Sequence, residues 1–301
     1  MMAVLSESPL RGELKVNEPM QRHTSWRVGG SADRYYKPAD LDDLCNFIRQ
    51  LDFDEPLHWL GLGSNLLVRD GGLRGTVIAL FGVLDGMRVM DDGLVEVQAG
   101  ISCAKFARFA AKQGLLGAEF FAGIPGTMGG ALAMNAGAYG GETWSGISSV
   151  ETIDRYGQLH RRTPADFDIA YRTVISDREE WFVSAQFNLR KGDVEDSNDK
   201  IKQLLKRRAE SQPLSLPSCG SVFRNPENDH AARLIEVSGL KGHRIGGASV
   251  SMQHANFIVN DANARAQDIE QLIAEVADRV YQDHGIRLQT EVRIVGEHAR
   301  D

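Results

Sequence analysis

Cysteine is scarce in this chain. Three residues, Cys45, Cys103 and Cys219, stand far apart among 301 and are odd in number. That excludes a disulfide framework and a spaced zinc motif, and it fits a reducing cytoplasm. Proline is scarce too, at nine residues, while 42% of the chain is hydrophobic. Collagen-like and disordered chains are excluded, and there is apolar material enough for a core. Positive charge is in deficit: 34 Lys and Arg against 41 Asp and Glu leave a net charge of −7. The broad basic footprint of a general nucleic-acid binder is therefore missing, although a local basic pocket for an anionic small molecule is not excluded. The opening residues carry Glu7, Arg11 and Glu13 and no apolar run, so no signal peptide is expected. One charge-free stretch, Phe120 to Gly141, has the ~20 residues that cross a bilayer. It contains seven glycines, Pro125 and Asn135, a composition unfit for a lipid-facing helix, so no membrane span is expected. His243 and His254 have no metal-pair spacing and no cluster of further ligands, so no metal is expected.

What the chain does have is glycine: 31 residues, about a tenth of the total, against a usual share of roughly 7%. Between the glycines the pattern is mixed. Leu41, Leu44, Phe47, Ile48 and Leu51 fall on one helical face behind a capping Asp40, and a second helix starts behind Ser102 in SCAKFARFAAKQG. LHWL, GTVIALFG, LVEVQAG, SVETIDRYGQLHRR and WFVSAQFNL read as strands. Residues 195–210 are polar and helix-prone, and Pro213 and Pro217 then mark a boundary. Beyond it come a strand, NFIVN, a helix over 268–283 and a last strand, LQTEVRIVG. The fold class is α+β, and the length suits about two domains at ~100–200 residues each.

The glycines gather in two clusters. Gly61-Leu62-Gly63-Ser64-Asn65 follows a strand, and successive N–H groups of such a turn can cradle a phosphate. A dinucleotide fingerprint needs a third glycine opening a helix; position 66 is leucine and LLVRDGG is not helical, so a Rossmann fold is not expected. Ten more glycines lie between Gly114 and Gly146. Backbone so bare can press against a flat ligand, and the plainer alternative is close packing of a helix on a sheet. Three further residues are chemically suggestive. Arg172, in AYRT, can fork a carboxylate or phosphate. Ser221 follows Gly220 in PSCGSVFRNP, which is no nucleophile elbow. Glu291 lies in the last strand. Each taken alone is more often a surface or packing residue, and Cys219 has no partner in sequence to activate it.

Taken together, SWRVGGSADRYYKP, LGLGSNLLVRDGG, EFFAGIPGTMGGALAMNAGAYGGE, AYRT, QPLSLPSCGSVFRNP, LIEVSGLKGHRIGGASVSMQHANFIVN and LQTEVRIVG occur in this order between about Trp26 and Gly296. The set resembles the UDP-N-acetylenolpyruvoylglucosamine reductase (UDP-N-acetylmuramate dehydrogenase) family, in its shorter form without an extra inserted loop. The resemblance implies a vanillyl-alcohol-oxidase-like (PCMH-type) FAD-binding fold of two subdomains, 1–80 and 81–205, ahead of a C-terminal α+β substrate domain, 206–301. It implies FAD held by Gly61, Gly63, Ser64, Asn65, Gly123, Ile124, Pro125, Gly126, Thr127, Gly130, Asn135, Gly137 and Ala138. It further implies NADPH as reductant, and a UDP-sugar enolpyruvyl ether as substrate, met by Tyr171, Arg224, Asn225, Gln253 and His254. Departures are small: Thr173 stands where serine is common, and Arg224 where lysine is.

The implied reaction reduces an enol ether conjugated to a carboxylate, a step of peptidoglycan precursor synthesis on which cell wall, cell shape and division depend. Hydride adds to the terminal methylene, negative charge spreads into the carboxylate, and the adjacent carbon must be protonated. By motif position Arg172 and Glu291 would stabilise the carboxylate side and Ser221 would donate the proton. An ionised glutamate there repels the growing charge, so Glu291 is expected to be protonated or offset by Arg172. A cytoplasmic monomer without nucleic-acid or membrane partners is expected. The rival readings are a sugar-lactone oxidase of the same fold and a non-catalytic flavin-binding module.

Overall fold

Helix, strand and turn signals are realised in a computed structural model that describes residues 9–299. Glu7, on which part of the signal-peptide expectation rests, lies outside them. The chain forms two units: residues up to Val16, Arg34–Gly61 and Gly75–Asn198 make the first, and Asn17–Asp33, Leu62–Arg74 and Asp199 onwards the second.

In the first unit, helix α1 (Leu41–Arg49) starts where Asp40 accepts the Asp43 N–H at 2.9 Å. It buries Leu44, Phe47 and Ile48 against Tyr36, Ile78 and Leu80. That core lies on a sheet ordered Glu13–Pro19, Ser31–Lys37, Leu73–Ala79, Leu57–Leu60, whose last two strands run parallel. A second sheet, wholly antiparallel, is ordered Leu159–Arg162, Ile147–Asp154, Glu180–Phe187, Val95–Gln98, Met87–Val89. Its long strand follows the alternation of its sequence, with Val183, Ala185 and Phe187 buried. Helices α2 (Cys103–Lys112) and α3 (Met128–Met134) also belong to this unit. The charge-free stretch is thus folded into short pieces, and among the described residues no helix is long and apolar enough to cross a membrane.

Helix α4 (Val194–Ser211) leads into the second unit. There α5 (Ala231–Val237) and α6 (Ala266–His284) pack with a three-stranded antiparallel sheet, Arg244–Ile245, Ala248–Val250 and Ile258–Asn260. Helix α6 buries Ile269, Leu272, Ile273, Val276 and Val280 and ends at Gly285 in the left-handed region. It begins two residues earlier than its periodicity indicates, because the Asp70 carboxylate accepts the Ala266 and Gln267 N–H groups at 3.0 and 2.9 Å. Asp268 also accepts the Arg265 N–H at 3.0 Å, a local cap, while the share from Asp70, 196 positions away, leaves no local signal. The last strand is shorter than expected: only Arg293–Val295 pairs, in parallel with Leu66–Val68. Glu291 precedes it rather than lying within it.

Asp43 is a buried anion that the first unit must satisfy. Its carboxylate accepts the Tyr36 hydroxyl at 2.5 Å and the Arg11 and Ala39 N–H groups at 2.8 and 2.9 Å. Burial alone would raise its pKa; these hydrogen bonds outweigh burial and hold it below the usual carboxylate range. A depressed folded value means stability present above the unfolded value, near pH ~4, and lost as pH falls through the folded one. Asp43→Asn should therefore lose ~3 kcal/mol at pH 7 and less at pH 3. Urea unfolding of both proteins at the two pH values checks this; an equal loss at both contradicts it.

Candidate functional site

The glycine-rich stretch of the first unit is only partly open. Gly129 packs on Ala99, where a Cβ would stand 3.0 Å from the Ala99 Cβ. Gly141 lies on the Phe120 ring and Gly123 on the Tyr139 ring, with an added Cβ 2.5 Å from either. Gly71, Gly72 and Gly75 press on the carbonyls of His298, Ser31 and Pro56. These glycines serve close packing. Others leave backbone bare: Gly130 is exposed, and a Cβ there would meet nothing nearer than Thr127 Oγ1 at 3.7 Å. Gly61 lies directly on the hydroxyl of the same threonine, leaving no room for a Cβ, so both glycine motifs meet at buried Thr127. Pro125 and Gly126 beside it are exposed and half-buried, and Ile124 is buried. The first N–H groups of α3 are already bonded, Met128 to the Ile101 carbonyl at 2.9 Å and Gly129 to that of Ala99 at 2.8 Å. Open backbone, not a bare helix end, is what this segment offers.

After α3 the chain turns through Asn135 (φ 44°) into a small hairpin, Gly137–Ala138 with Gly141–Glu142. Arg172 sits at the tip of another, Asp168–Ala170 with Thr173–Ile175, in the left-handed region at φ 53°. Its Nη2 donates to the Gly137 carbonyl at 2.8 Å and its Nη1 to that of Asn135 at 3.4 Å, and its guanidinium lies 4.8 Å from the ring of half-exposed Tyr171. Two expected site residues are thus joined to the glycine-rich segment. The Asn135 carboxamide is itself fully engaged within the protein: it accepts the Trp144 N–H and donates to Glu142 and to the Ala170 carbonyl.

In the second unit Ser221 follows Gly220, whose φ of 72° favours glycine. Val222 beside it donates its N–H to the Asn256 carbonyl at 2.9 Å and accepts the Glu291 N–H at 2.8 Å. The Glu291 carbonyl accepts the Asn65 Nδ2 at 2.9 Å, and the Asn65 carbonyl in turn accepts the Arg293 N–H at 3.1 Å. Ser221, Glu291 and Asn65 are therefore neighbours on one hydrogen-bonded ladder. Buried Asn256 clamps it, with Oδ1 on the Phe223 N–H and Nδ2 on the Phe223 carbonyl. A signal for Asn256 exists in the sequence, since a polar residue inside HANFIVN needs a partner. Gly63 (φ 59°) approaches the His23 carbonyl, and Ser64 is half-buried. Cys219 is buried with its thiol pushed up to about 12 by desolvation, an inert packing residue.

The remaining expected contacts scatter within this unit. Half-buried Arg224 donates its backbone N–H to Gln289. Asn225 Oδ1 accepts the Ala231 N–H at the start of α5, and Gln253 donates to the Ala209 and Glu210 carbonyls near the end of α4. His254 packs on Phe257, and burial, helped by Lys241, lowers its pKa so that it is neutral at pH 7. Its Nδ1 accepts the Asn256 N–H. Among the described residues no group of His, Cys, Asp and Glu has metal-holding geometry.

Residues 212–295 match the model of the UDP-N-acetylenolpyruvoylglucosamine reductase C-terminal domain, and residues 32–163 match that of an FAD binding domain. A UDP-N-acetylenolpyruvoylglucosamine reductase from Alkalilimnicola ehrlichii is 58% identical, over 95% of this chain and 96% of its own. The chain belongs to the UDP-N-acetylenolpyruvoylglucosamine reductase family. The reductase of Methylococcus capsulatus is 56% identical over 98% of this chain and 97% of its own. The crystal structure of the Thermus caldophilus reductase superposes with a TM-score of 0.80 at 31% identity, covering 94% of this chain and 98% of that one. The α+β fold is thus the two-subdomain FAD-binding type with a reductase C-terminal domain.

The residues present fit FAD. An exposed helical glycine costs ~1 kcal/mol against alanine, and Gly130 has room for a side chain. What Gly130 preserves is space above the main chain, room that would suit a flat cofactor. Gly130→Leu should therefore leave the thermal midpoint of the apoprotein undiminished yet raise the dissociation constant for FAD about tenfold, the ~1.4 kcal/mol of one steric intrusion. Titration of the apoprotein with FAD reports it; an unchanged dissociation constant would contradict this assignment.

Proposed function

We propose that this reductase-family chain converts UDP-N-acetylglucosamine enolpyruvate to UDP-N-acetylmuramate, a peptidoglycan precursor, with NADPH as reductant. FAD, held by the glycine-rich segments named below, would supply the two-electron chemistry that links NADPH to the substrate. The observation that carries the reading, beside the family match, is the pairing of Ser221's segment with Glu291 on one ladder. It sets a hydroxyl and a carboxyl on adjacent rigid backbone, as protonation of a carbon requires.

Each residue then has a role. The Arg172 guanidinium takes the substrate carboxylate and offsets the negative charge that builds there as the methylene gains hydride. Ser221 gives its hydroxyl proton to the carbon bearing that carboxylate, closing the new C–H bond. Glu291 acts from the carboxylate side as a hydrogen-bond donor, because in ionised form it would oppose the developing charge. Tyr171, Arg224, Asn225, Gln253 and His254 contribute to holding the UDP-sugar, with Arg224 and the basic run Lys206–Arg208 suited to its phosphates. Gly61, Gly63, Ser64, Asn65, Gly123–Thr127, Gly130, Gly137 and Ala138 line the FAD. A cytoplasmic monomer, with functional parts divided near residues 80 and 205, completes the proposal.

Single-turnover kinetics separates the steps. Ser221→Ala should be bleached by NADPH at the wild-type rate and regain colour with substrate ~10³-fold more slowly, the scale of a lost proton donor. Glu291→Gln, which still donates a hydrogen bond, should retain more of that second step than Glu291→Ala. A Ser221→Ala protein that completes both steps at wild-type rates contradicts the assignment.

A further inference from the structure

We propose that Asn135 is a positioning residue for Arg172, one that holds the hairpin bearing the guanidinium instead of touching the cofactor with its side chain. The inference rests on the role given above to Arg172. Asn135 is 2% exposed and takes the left-handed conformation where α3 ends. Its carboxamide has two N–H donors: one reaches Glu142 Oε2 at 3.1 Å and one the Ala170 carbonyl at 3.1 Å. Its Oδ1 accepts the Trp144 N–H at 3.2 Å. Ala170 pairs with Thr173 directly across the hairpin tip Tyr171–Arg172. The same residue thus grips the tip twice, its side chain donating to the backbone before the turn and its own carbonyl accepting Arg172 Nη1 after it.

That grip answers a physical need. An arginine at φ 53° is strained and persists only where surrounding bonds over-determine it. Gly137 completes the arrangement: a Cβ there would stand 3.0 Å from Arg172 Nη1, so glycine lets the guanidinium reach the Gly137 carbonyl. Aspartate could not replace Asn135. It would have nothing to donate to Ala170 and would set a second carboxylate against Glu142. Both donors being committed, the side chain has no N–H left for a flavin.

The two bonds can be cut separately. Asn135→Asp loses both. Asn135→Asp with Glu142→Gln restores the first, since the second substitution introduces an amide that can donate to the new carboxylate, and still leaves Ala170 without its donor. Three quantities are measured on the holoenzyme: flavin content with thermal midpoint, amide exchange over residues 168–175, and the recovery of colour on adding substrate. The double variant should regain flavin content and most of the thermal midpoint lost in Asn135→Asp. Its hairpin amides should still exchange faster than wild type, and the substrate step should stay about a hundredfold slow, the scale of a small misplacement, with raised KM. Full recovery of the substrate step with hairpin protection restored overturns the proposal, because the Ala170 bond would then be dispensable. Flavin loss persisting in the double variant, with normal hairpin exchange, also overturns it and makes Asn135 a cofactor contact. Arg172→Lys is run in parallel. If it completes the substrate step normally, the role given to Arg172 fails, while amide exchange still judges Asn135.

Discussion

Backbone stripped of side chains must be held in shape by something else, and in the first unit the Asn135 carboxamide does much of that holding. At its seven glycines the segment from Phe120 to Gly141 gives up side-chain packing, although Phe121, Met128 and Leu132 within it are buried. Hydrogen bonds take its place: Met128 and Gly129 to the 99–101 segment, Ala136 to Ala131, Thr143 to Ala136, and the Asn135 amide to three further partners. Removing one oriented donor from such a segment leaves a buried carbonyl without a partner, which costs about 1–3 kcal/mol. The same bonds fix where Arg172 points, so open backbone and an aimed cation arise together.

The second unit solves a similar problem with asparagine again. Asn256 seals both backbone groups of Phe223, Asn65 takes the Glu291 carbonyl, and Asn260 Nδ2 bonds the Trp26 carbonyl at 2.9 Å. A carboxamide supplies donor and acceptor in one plane without charge, so it can stand in for a missing strand edge. Ser221 and Glu291 lie beside backbone fixed this way, which suits the proton delivery proposed for Ser221. A neighbouring thiol, Cys219, stays inert because burial raises its pKa.

How much of this is legible in the sequence depends on how local each cause is. Helix α1 is readable because Asp40 and the apolar face lie within a dozen residues, and the strand ending at Phe187 because alternation is local. The start of α6 is only partly so, because Asp70 shares its capping with the local Asp268. The placing of Glu291 is not, since Arg293–Val295 takes its partner from residues 66–68. The glycine surplus reads largely as a ligand surface. Part of it instead packs on Ala99, Phe120 and Tyr139, contacts made only once the chain has folded. Arg172, Ser221 and Glu291 emerge only through the order of the motifs. Nothing about an isolated arginine or serine distinguishes it, and the bonds that make them distinctive come from distant positions.

The central claim is that this chain moves two electrons from NADPH to an enolpyruvyl carbon. One anaerobic cuvette tests it. The purified protein should be yellow, bleach on adding NADPH in one equivalent, and regain its colour only when UDP-N-acetylglucosamine enolpyruvate follows, with UDP-N-acetylmuramate formed in equal amount. A protein that bleaches and stays bleached with that substrate, while recovering with oxygen alone, would contradict the account.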